Sequence, residues 1–375
     1  MLVWCLILCL LIISYTWFGY GVLLAGLSHL RKIPIRKRSF TPRVSVIVAA
    51  RNEAKQIRAR LTNLLELDYP PEQLEILVAS DGSIDGTAEI VRSIRDQRIR
   101  LLDFAQSRGR AAVHNDAAET ASGDFLLFTD AATRFEPSFL KTLIRNFADA
   151  RVGCVSGIIH FGNRDVSPVC RQRGAYWRYE YWLRRLESQS GILVCASGPC
   201  MAVRRELFQP LEDLSYDVDF MTPLDVVEAG FLVRQEEQAI AYDEMFATPR
   251  EELRAQIRMV SRNLSGYLDR RCLLDARGNA WFAWSLVSHK VLRWATPFLL
   301  LLLFVVAGIL AAQGHARALW LAQTAFYGFA VIGWLRNRSG QPTRIFALPF
   351  AFCLANLGFF LGMVNAFRNE RIVTY

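Results

Sequence analysis

The chain is 375 residues long, 52% apolar and 21% charged, with a formal net charge of +9. That apolar content excludes an intrinsically disordered chain, while the charge is too plentiful for a wholly membrane-buried one, so membrane segments plus a water-facing domain are expected. Eight cysteines without a Cys-x-x-Cys pair exclude a small disulfide scaffold, a zinc ribbon and a thioredoxin-type site.

Residues 1–30 open the chain with an apolar run, Leu2 to Leu30, that contains Trp4, Trp17 and Tyr20. The run exceeds the ~20 residues needed to cross a bilayer core. A cleaved signal peptide has a shorter apolar region after a basic start. Here the basic residues follow, as Arg31, Lys32, Arg36, Lys37 and Arg38 in a linker over 31–42. An anchor with its N-terminus outside and a cytoplasmic domain after it is expected.

The water-facing domain is expected over 43–248. Val44–Ala50 is a β-branched strand, followed by Arg51-Asn-Glu53 and a helix through Leu65. Leu74–Ala79 is a second strand closed by Ser80-Asp-Gly-Ser-Ile-Asp-Gly-Thr87, and Ile99–Phe104 a third. A helix over Ala111–Ala121 and a strand Phe125–Thr129 ending at Asp130 complete the alternation. Such a pattern predicts an α/β fold whose mainly parallel sheet is covered on both faces, with ligands bound beyond the strands' carboxyl ends. Arg51, Glu53, Asp81, Arg110 and Asp130 all fall near that edge. Their chemistry suits a nucleotide diphosphate: Asp81 as an acceptor for a base or ribose group, Arg110 for phosphate charge, and Asp130 as a hard oxygen ligand for Mg²⁺ or Mn²⁺. An aspartate in a Gly/Ser turn is also a common turn former, and one at a strand end a common helix cap. No Walker A or G-x-G-x-x-G run is present, which argues against kinase, ATPase and dehydrogenase readings.

Between Pro249 and Gly266, Arg250, Arg254, Arg258 and Arg262 recur every four residues. On a helix they advance ~40° per step and form a slowly winding stripe. Over 249–295 amphipathic helices are expected at the membrane surface, including Trp281–Trp294 with its three Trp, Lys290 and Arg293. Tyr176–Trp182, followed by Arg184 and Arg185, either stacks on a sugar or rests at the membrane. Over 296–367 three spans are expected, at Thr296–Gln313, Leu319–Leu335 and Ile345–Phe367, with a tail over 368–375 whose side is left open. The membrane accounts for much of the positive charge, and no basic stripe with a nucleic-acid motif appears.

As a set, Val44-Ser-Val-Ile-Val-Ala-Ala-Arg-Asn-Glu53, Ser80–Thr87, Gly109-Arg-Ala-Ala-Val-His-Asn115, Phe128-Thr-Asp-Ala-Ala-Thr133, Ala202-Val-Arg-Arg-Glu-Leu-Phe208 and Asp217-Val-Asp-Phe220 resemble the membrane-bound family 2 glycosyltransferases over roughly residues 43 to 300. The resemblance implies a GT-A domain that uses a nucleotide-sugar donor (a UDP- or GDP-sugar) and a divalent metal. It also implies that the first segment and the Asp-Gly-Ser aspartate cradle the nucleoside, which points to Ala50, Arg51, Glu53 and Asp81, with Arg110 on the donor side. Two departures stand out. The usual Asp-x-Asp metal motif reads Asp130-Ala131-Ala132, leaving the metal to Asp130, the diphosphate and water. The Gln-x-x-Arg-Trp pattern of processive members keeps only Arg258, with Ala255 and Met259 flanking it.

Inverting transfer needs a carboxylate beside the acceptor hydroxyl. Aligning on Phe220 and Pro223-Leu224 selects Asp219, with Asp217 as runner-up; both also suit capping of a helix over Thr222–Ala229. Arg258 is assigned to diphosphate or acceptor. The expected function is an inverting hexosyltransferase in a bacterial inner membrane, its catalytic domain cytoplasmic, acting on a lipid, lipid-linked or polysaccharide acceptor. A non-catalytic GT-A scaffold in a polysaccharide assembly complex is the second reading, prompted by Ala132.

Overall fold

The computed structural model describes residues 1–162, 168–246, 248–270, 276–341 and 343–368. An N-terminal helical run, α1 (Leu2–Leu30), contains one π-helical turn at Tyr15–Gly19. It leads into an eight-stranded sheet built from β1 (Val44–Ala50), β2 (Leu74–Asp81), β3 (Ile99–Phe104), β4 (Phe125–Asp130), β5 (Arg134–Phe135), β6 (Val152–Phe161), β7 (Met201–Arg204) and β8 (Leu232–Asp243). The strand order is β3-β2-β1-β4-β7-β6-β8-β5. β3, β2, β1 and β4 are parallel; β7 runs antiparallel to both β4 and β6, and β6 to β8 is parallel again.

Every residue of β1 is buried, which is why it reads as an unbroken apolar run rather than an alternating one. Alternate residues feed two cores. Val44, Val46 and Val48 join α2 (Ile57–Leu65) and the helix Phe139–Ile144 on one face. Ile47 and Ala49 join α4 (Arg110–Thr120, after α3, Thr87–Ser93) on the other. Because β1 connects outward to β2 while β4 lies on its other side, the chain reverses direction across the sheet at β1, and the loops there splay open into a cleft.

The second core continues into the apolar helices. After α5 (Phe139–Ile144), α6 (Pro168–Ser190), α7 (Val218–Glu228) and α8 (Pro249–Asp269) come α9 (Asn279–Ala312), α10 (Arg317–Arg338) and α11 (Arg344–Phe367). Together with α1, the last three are long and apolar enough to cross a membrane. Trp294, Phe359 and Met363 of α9 and α11 are buried with Phe220 of α7 and Val260 of α8.

Three expectations change. Trp281–Trp294 is not a separate surface helix: it runs straight into the first C-terminal span, with Phe282, Leu286, His289 and Trp294 buried. Of the Tyr176–Trp182 aromatics, Tyr179 and Trp182 dock α1, Trp177 packs on Phe161 and Tyr181, and Tyr176 stays exposed. The Tyr179 hydroxyl donates to the Trp17 carbonyl (2.8 Å), and Trp182 packs so closely on Gly21 that a Cβ there would sit 2.9 Å from its ring. Third, α7 starts at Val218, four residues before the expected helix.

A buried polar network pins these helices together. Glu187 of α6 accepts from the Tyr20 hydroxyl (2.6 Å) and contacts His289 Nδ1 (2.6 Å). Glu180 contacts His289 Nε2 (3.0 Å) and accepts from Arg293 (2.6 Å) and Arg184 (2.9 Å). Burial pushes the Glu180 carboxyl up, but the charges of His289, Lys290, Arg184 and Arg293 outweigh it and hold it well below the ordinary range. Arg184 also donates to Ser197 Oγ (3.0 Å), tying the network to the loop beside Asp219.

Candidate active site

Two loops at the carboxyl edge of the sheet are laced together. Asn52, held in the left-handed region (φ 57°), donates from its backbone to Ser83 Oγ and accepts at Oδ1 from Ile84 N–H. Glu53 N–H donates to Thr87 Oγ1 (2.8 Å) and Ala54 N–H to Asp85 Oδ2 (3.0 Å). Ala50 ends β1, buried, in register with Ser80, and offers the cleft only its backbone. Arg51 and Glu53 keep part of their surface open. Burial pushes the Glu53 carboxyl up, the Gln56 amide opposes it, and the charges of Asp130 and Asp85 add to the rise.

Asp81 sits differently from the sequence expectation of a ligand facing the cleft. It is fully buried, and its oxygens accept from Ser107 Oγ (2.9 Å), Arg108 N–H (2.7 Å) and Gly109 N–H (3.0 Å). Three donors converging on one carboxylate make it the anchor of the loop that launches α4. It therefore sets where Arg110 points.

Arg110, the first residue of α4, forms an ion pair with Asp130 at the end of β4 (2.6 Å), both about a third exposed. Asp130 is felt by carboxylates from three other elements: its charge contributes to raising Glu53, Asp219 and Asp243, each of which is lifted chiefly by burial. Asp243, at the end of β8, also accepts from Thr133 Oγ1 (3.1 Å). Among the described residues no three His, Cys, Asp or Glu side chains group closely enough to hold a metal alone. Asp130 with substrate phosphates and water nevertheless fits Mg²⁺ or Mn²⁺, which commonly take one or two carboxylates and keep several waters. Ala132 is exposed, so no protein carboxylate stands at the second motif position.

Beside Arg110 a pocket is lined by His114, Gly198, Tyr216, Asp217, Asp219 and Arg262. Asp217 is the N-cap of α7 and forms an ion pair with Arg262 Nη1 (2.9 Å); Asp219 lies in the first helical turn and has no ion pair among the described residues. Burial pushes the Asp219 carboxyl up to about 6, the Asp217 charge adding to the rise and Arg110 opposing it. Gly198 makes room for it, since a Cβ at that position would lie 2.8 Å from Asp219 Oδ2. A carboxylate poised near neutrality, with its paired neighbour unavailable, has the properties of a general base.

The arginine stripe of α8 winds inward as its ~40° advance requires. Arg250 and Arg254 are exposed, Arg258 is half-buried and Arg262 buried. Burial lowers the Arg258 pKa and the charges of Arg262 and Arg110 lower it further, opposed by Asp217, so these groups share one region. By sequence the stripe suits either a diphosphate or anionic lipid headgroups; in the structure Arg262 lines the pocket. The face of α8 opposite the stripe rests on α11 through Gly358 and Gly362. A Cβ at Gly362 would lie 2.7 Å from Val260 Cβ, and one at Gly358 would lie 2.8 Å from Gln256 Cβ. This small-xxx-small spacing lets helices approach closely, so an apolar helix places the arginines.

Of the residues singled out in the sequence, Arg110, Asp217 and Asp219 line one pocket, Asp130 is tied to it through Arg110, and Arg258 feels the charges of Arg110 and Asp217; Glu53 feels Asp130, and Asp81 anchors the loop before Arg110. The sequence reading did not single out three contributors: Arg262, whose place in the arginine stripe was the available signal; Asp243; and His114.

The sequence profile of the family described as Glycosyl transferase family 2 matches residues 45–211. An N-acetylglucosaminyltransferase of Azorhizobium caulinodans is 29% identical over 180 residues, covering 46% of this chain and 44% of its own. A poly-beta-1,6-N-acetyl-D-glucosamine synthase of Staphylococcus aureus is 33% identical over 182 residues, covering 48% and 43%. The chain therefore spans less than half the length of these curated relatives. Among solved structures, the mannosyltransferase PcManGT of Pyrobaculum calidifontis, in complex with GDP-Man and Mn²⁺, superposes with a TM-score of 0.75 at 22% identity over 98% of this chain and 99% of that one. Asp217, Asp219, Arg258 and Arg262 lie beyond the matched span, so geometry carries their roles. Residues 45–211 thus match glycosyl transferase family 2, within a chain that has the GT-A fold and apolar helices toward both ends.

Proposed function

We propose that the protein is an inverting glycosyltransferase that moves a hexosyl group from a UDP- or GDP-sugar to an acceptor hydroxyl on a lipid, lipid-linked saccharide or polysaccharide. One observation carries this reading: Asp219, free of any ion pair in the described residues, lines the same pocket as Arg110, which grips Asp130. An anion-binding side and a basic carboxylate then flank one space. Asp219 takes the proton from the acceptor hydroxyl while the acceptor oxygen bonds to the anomeric carbon, and the sugar–phosphate bond breaks to release the nucleoside diphosphate. A single displacement of this kind inverts the anomeric centre. Arg110, Arg258 and Arg262 supply positive charge toward the departing diphosphate. A divalent cation at Asp130, when bound, neutralises charge on that leaving group. The loops carrying Ala50, Arg51 and Glu53 hold the nucleoside, with Asp81 fixing the loop between them and Arg110.

The four apolar helices and the basic 31–38 stretch support a multi-pass protein of the inner membrane with its sugar-transfer domain on the cytoplasmic face. Such an enzyme meets an acceptor held in the same bilayer. The test uses the full chain in lipid nanodiscs with Mn²⁺ or Mg²⁺ and a panel of UDP- and GDP-sugars. The expected result is metal-dependent release of nucleoside diphosphate, with labelled sugar appearing in the lipid or polymer fraction. Ala132, the absent second carboxylate, favours one other reading, a non-catalytic GT-A scaffold of a polysaccharide assembly. Under that reading Asp130→Ala and Asp219→Asn leave the cellular glycan intact, whereas under the enzymatic one both abolish it.

A further inference from the structure

His114 has no role in the scheme above, yet it lines the Asp219 pocket. It stands on α4 one turn beyond Arg110, so both side chains lie on one face of that helix. The residue is 1% exposed, its ring packs on Phe128 at a 58° tilt (centroids 5.0 Å apart), and neither Nδ1 nor Nε2 has a hydrogen-bond partner among the described residues. An imidazole with both nitrogens buried and unmet is costly, and such orphaned groups in native proteins call for an explanation. Burial and the Arg110 charge both hold His114 well below its ordinary pKa. It is therefore neutral, with one donor and one acceptor.

What enters this pocket follows from its walls. On one side stands Arg110, paired with the aspartate that faces the leaving phosphate; on another stands Asp219, which must face the incoming hydroxyl. In a single in-line displacement the group between leaving oxygen and nucleophile is the transferred sugar itself. A neutral donor–acceptor pair matches a sugar hydroxyl, which both gives and takes a hydrogen bond, better than it matches a phosphate. We infer that His114 is a sugar-selecting residue, hydrogen-bonding a ring hydroxyl of the hexosyl group carried by the nucleotide donor. The inference rests on the reading of the site as a sugar-transfer centre.

The experiment measures binding rather than turnover. Full-length wild type and His114→Leu, in nanodiscs with Mn²⁺, are titrated with UDP, GDP, UDP-GlcNAc, UDP-glucose and GDP-mannose, and then with monodeoxy analogues of the tightest-binding nucleotide sugar. The expected result is that His114→Leu weakens that nucleotide sugar roughly 5- to 10-fold, the worth of one such hydrogen bond, and leaves its nucleoside diphosphate within about twofold. One deoxy analogue should lose a similar factor in wild type and nothing further in the variant. Should His114→Leu fail to fold, His114→Gln, which keeps one donor and one acceptor, carries the same cycle, with a reduced penalty for that analogue. Equal losses of nucleoside diphosphate and nucleotide sugar would reduce His114 to a packing residue. Full penalties for every deoxy analogue in the variant would leave it holding only a water; either result overturns the inference. Failure of wild type to bind any nucleotide sugar would instead remove the function reading, and the inference with it.

Discussion

Asp219→Asn separates chemistry from stability in opposite directions. Moving the carboxyl from its ordinary 3.8 to about 6 means that ionised Asp219 costs the fold about 3 kcal/mol. The sign follows from proton uptake. Below about pH 4 both folded and unfolded states hold the proton and the cost vanishes. Between 4 and 6 only the folded state keeps it, so stability falls as pH rises, and above about 6 the full cost is present. Asparagine has the shape of the protonated acid and never ionises. The variant should therefore be more stable than wild type by roughly 1–2 kcal/mol at pH 5 and about 3 kcal/mol at pH 8, while transfer drops roughly 10²- to 10⁴-fold. Wild-type activity should rise with pH through about 6 as the base loses its proton. Thermal unfolding followed by tryptophan fluorescence at the two pH values, with nucleoside diphosphate release, measures both effects. A variant that keeps its rate, or a stability gap equal at pH 5 and 8, would refute the assignment of Asp219 as an electrostatically strained base.

Four further outcomes are expected. Arg262→Ala leaves Asp217 without its partner in a largely enclosed site and should cost roughly 2–4 kcal/mol of stability and at least tenfold in activity. Asp217→Asn keeps a hydrogen-bond acceptor for Arg262 and should retain much more activity than Asp219→Asn in the same assay. Gly362→Leu overfills the α8–α11 contact, costing ~1–3 kcal/mol. It should also lower activity by displacing Arg258 and Arg262, although position 362 lies on an apolar helix outside the site; an active, equally stable variant would show that α11 does not place them. Ala132→Asp restores an exposed carboxylate beside Asp130, so chelator-stripped protein should regain activity at a lower Mn²⁺ concentration than wild type. An unchanged metal titration would mean that position 132 does not face the cation.

Local physics made much of this legible in the sequence. β1 spans the residues expected of it, because a strand buried on both faces must be a continuous β-branched run and has few other ways to fold; β3, a partly exposed edge strand, also keeps its expected bounds. The apolar lengths of the four long helices follow from composition alone. Asp130 and Arg110 were visible because strand ends and helix starts in a parallel sheet gather at one edge. Tertiary structure decided the rest, because it depends on which faces meet. Only packing shows that Asp81 spends its carboxylate on Ser107, Arg108 and Gly109. Only the approach of α8 to Gly358 and Gly362 sets how far the arginine stripe rotates, carrying Arg262 inward and leaving Arg250 outside. Trp281–Trp294 has the composition of a surface helix, yet Glu180 and Glu187 of α6, a hundred residues earlier, draw His289 and Arg293 into the interior. A sequence window records the chemistry a residue carries; its neighbours across the fold determine whether that chemistry faces ligand, lipid or another side chain.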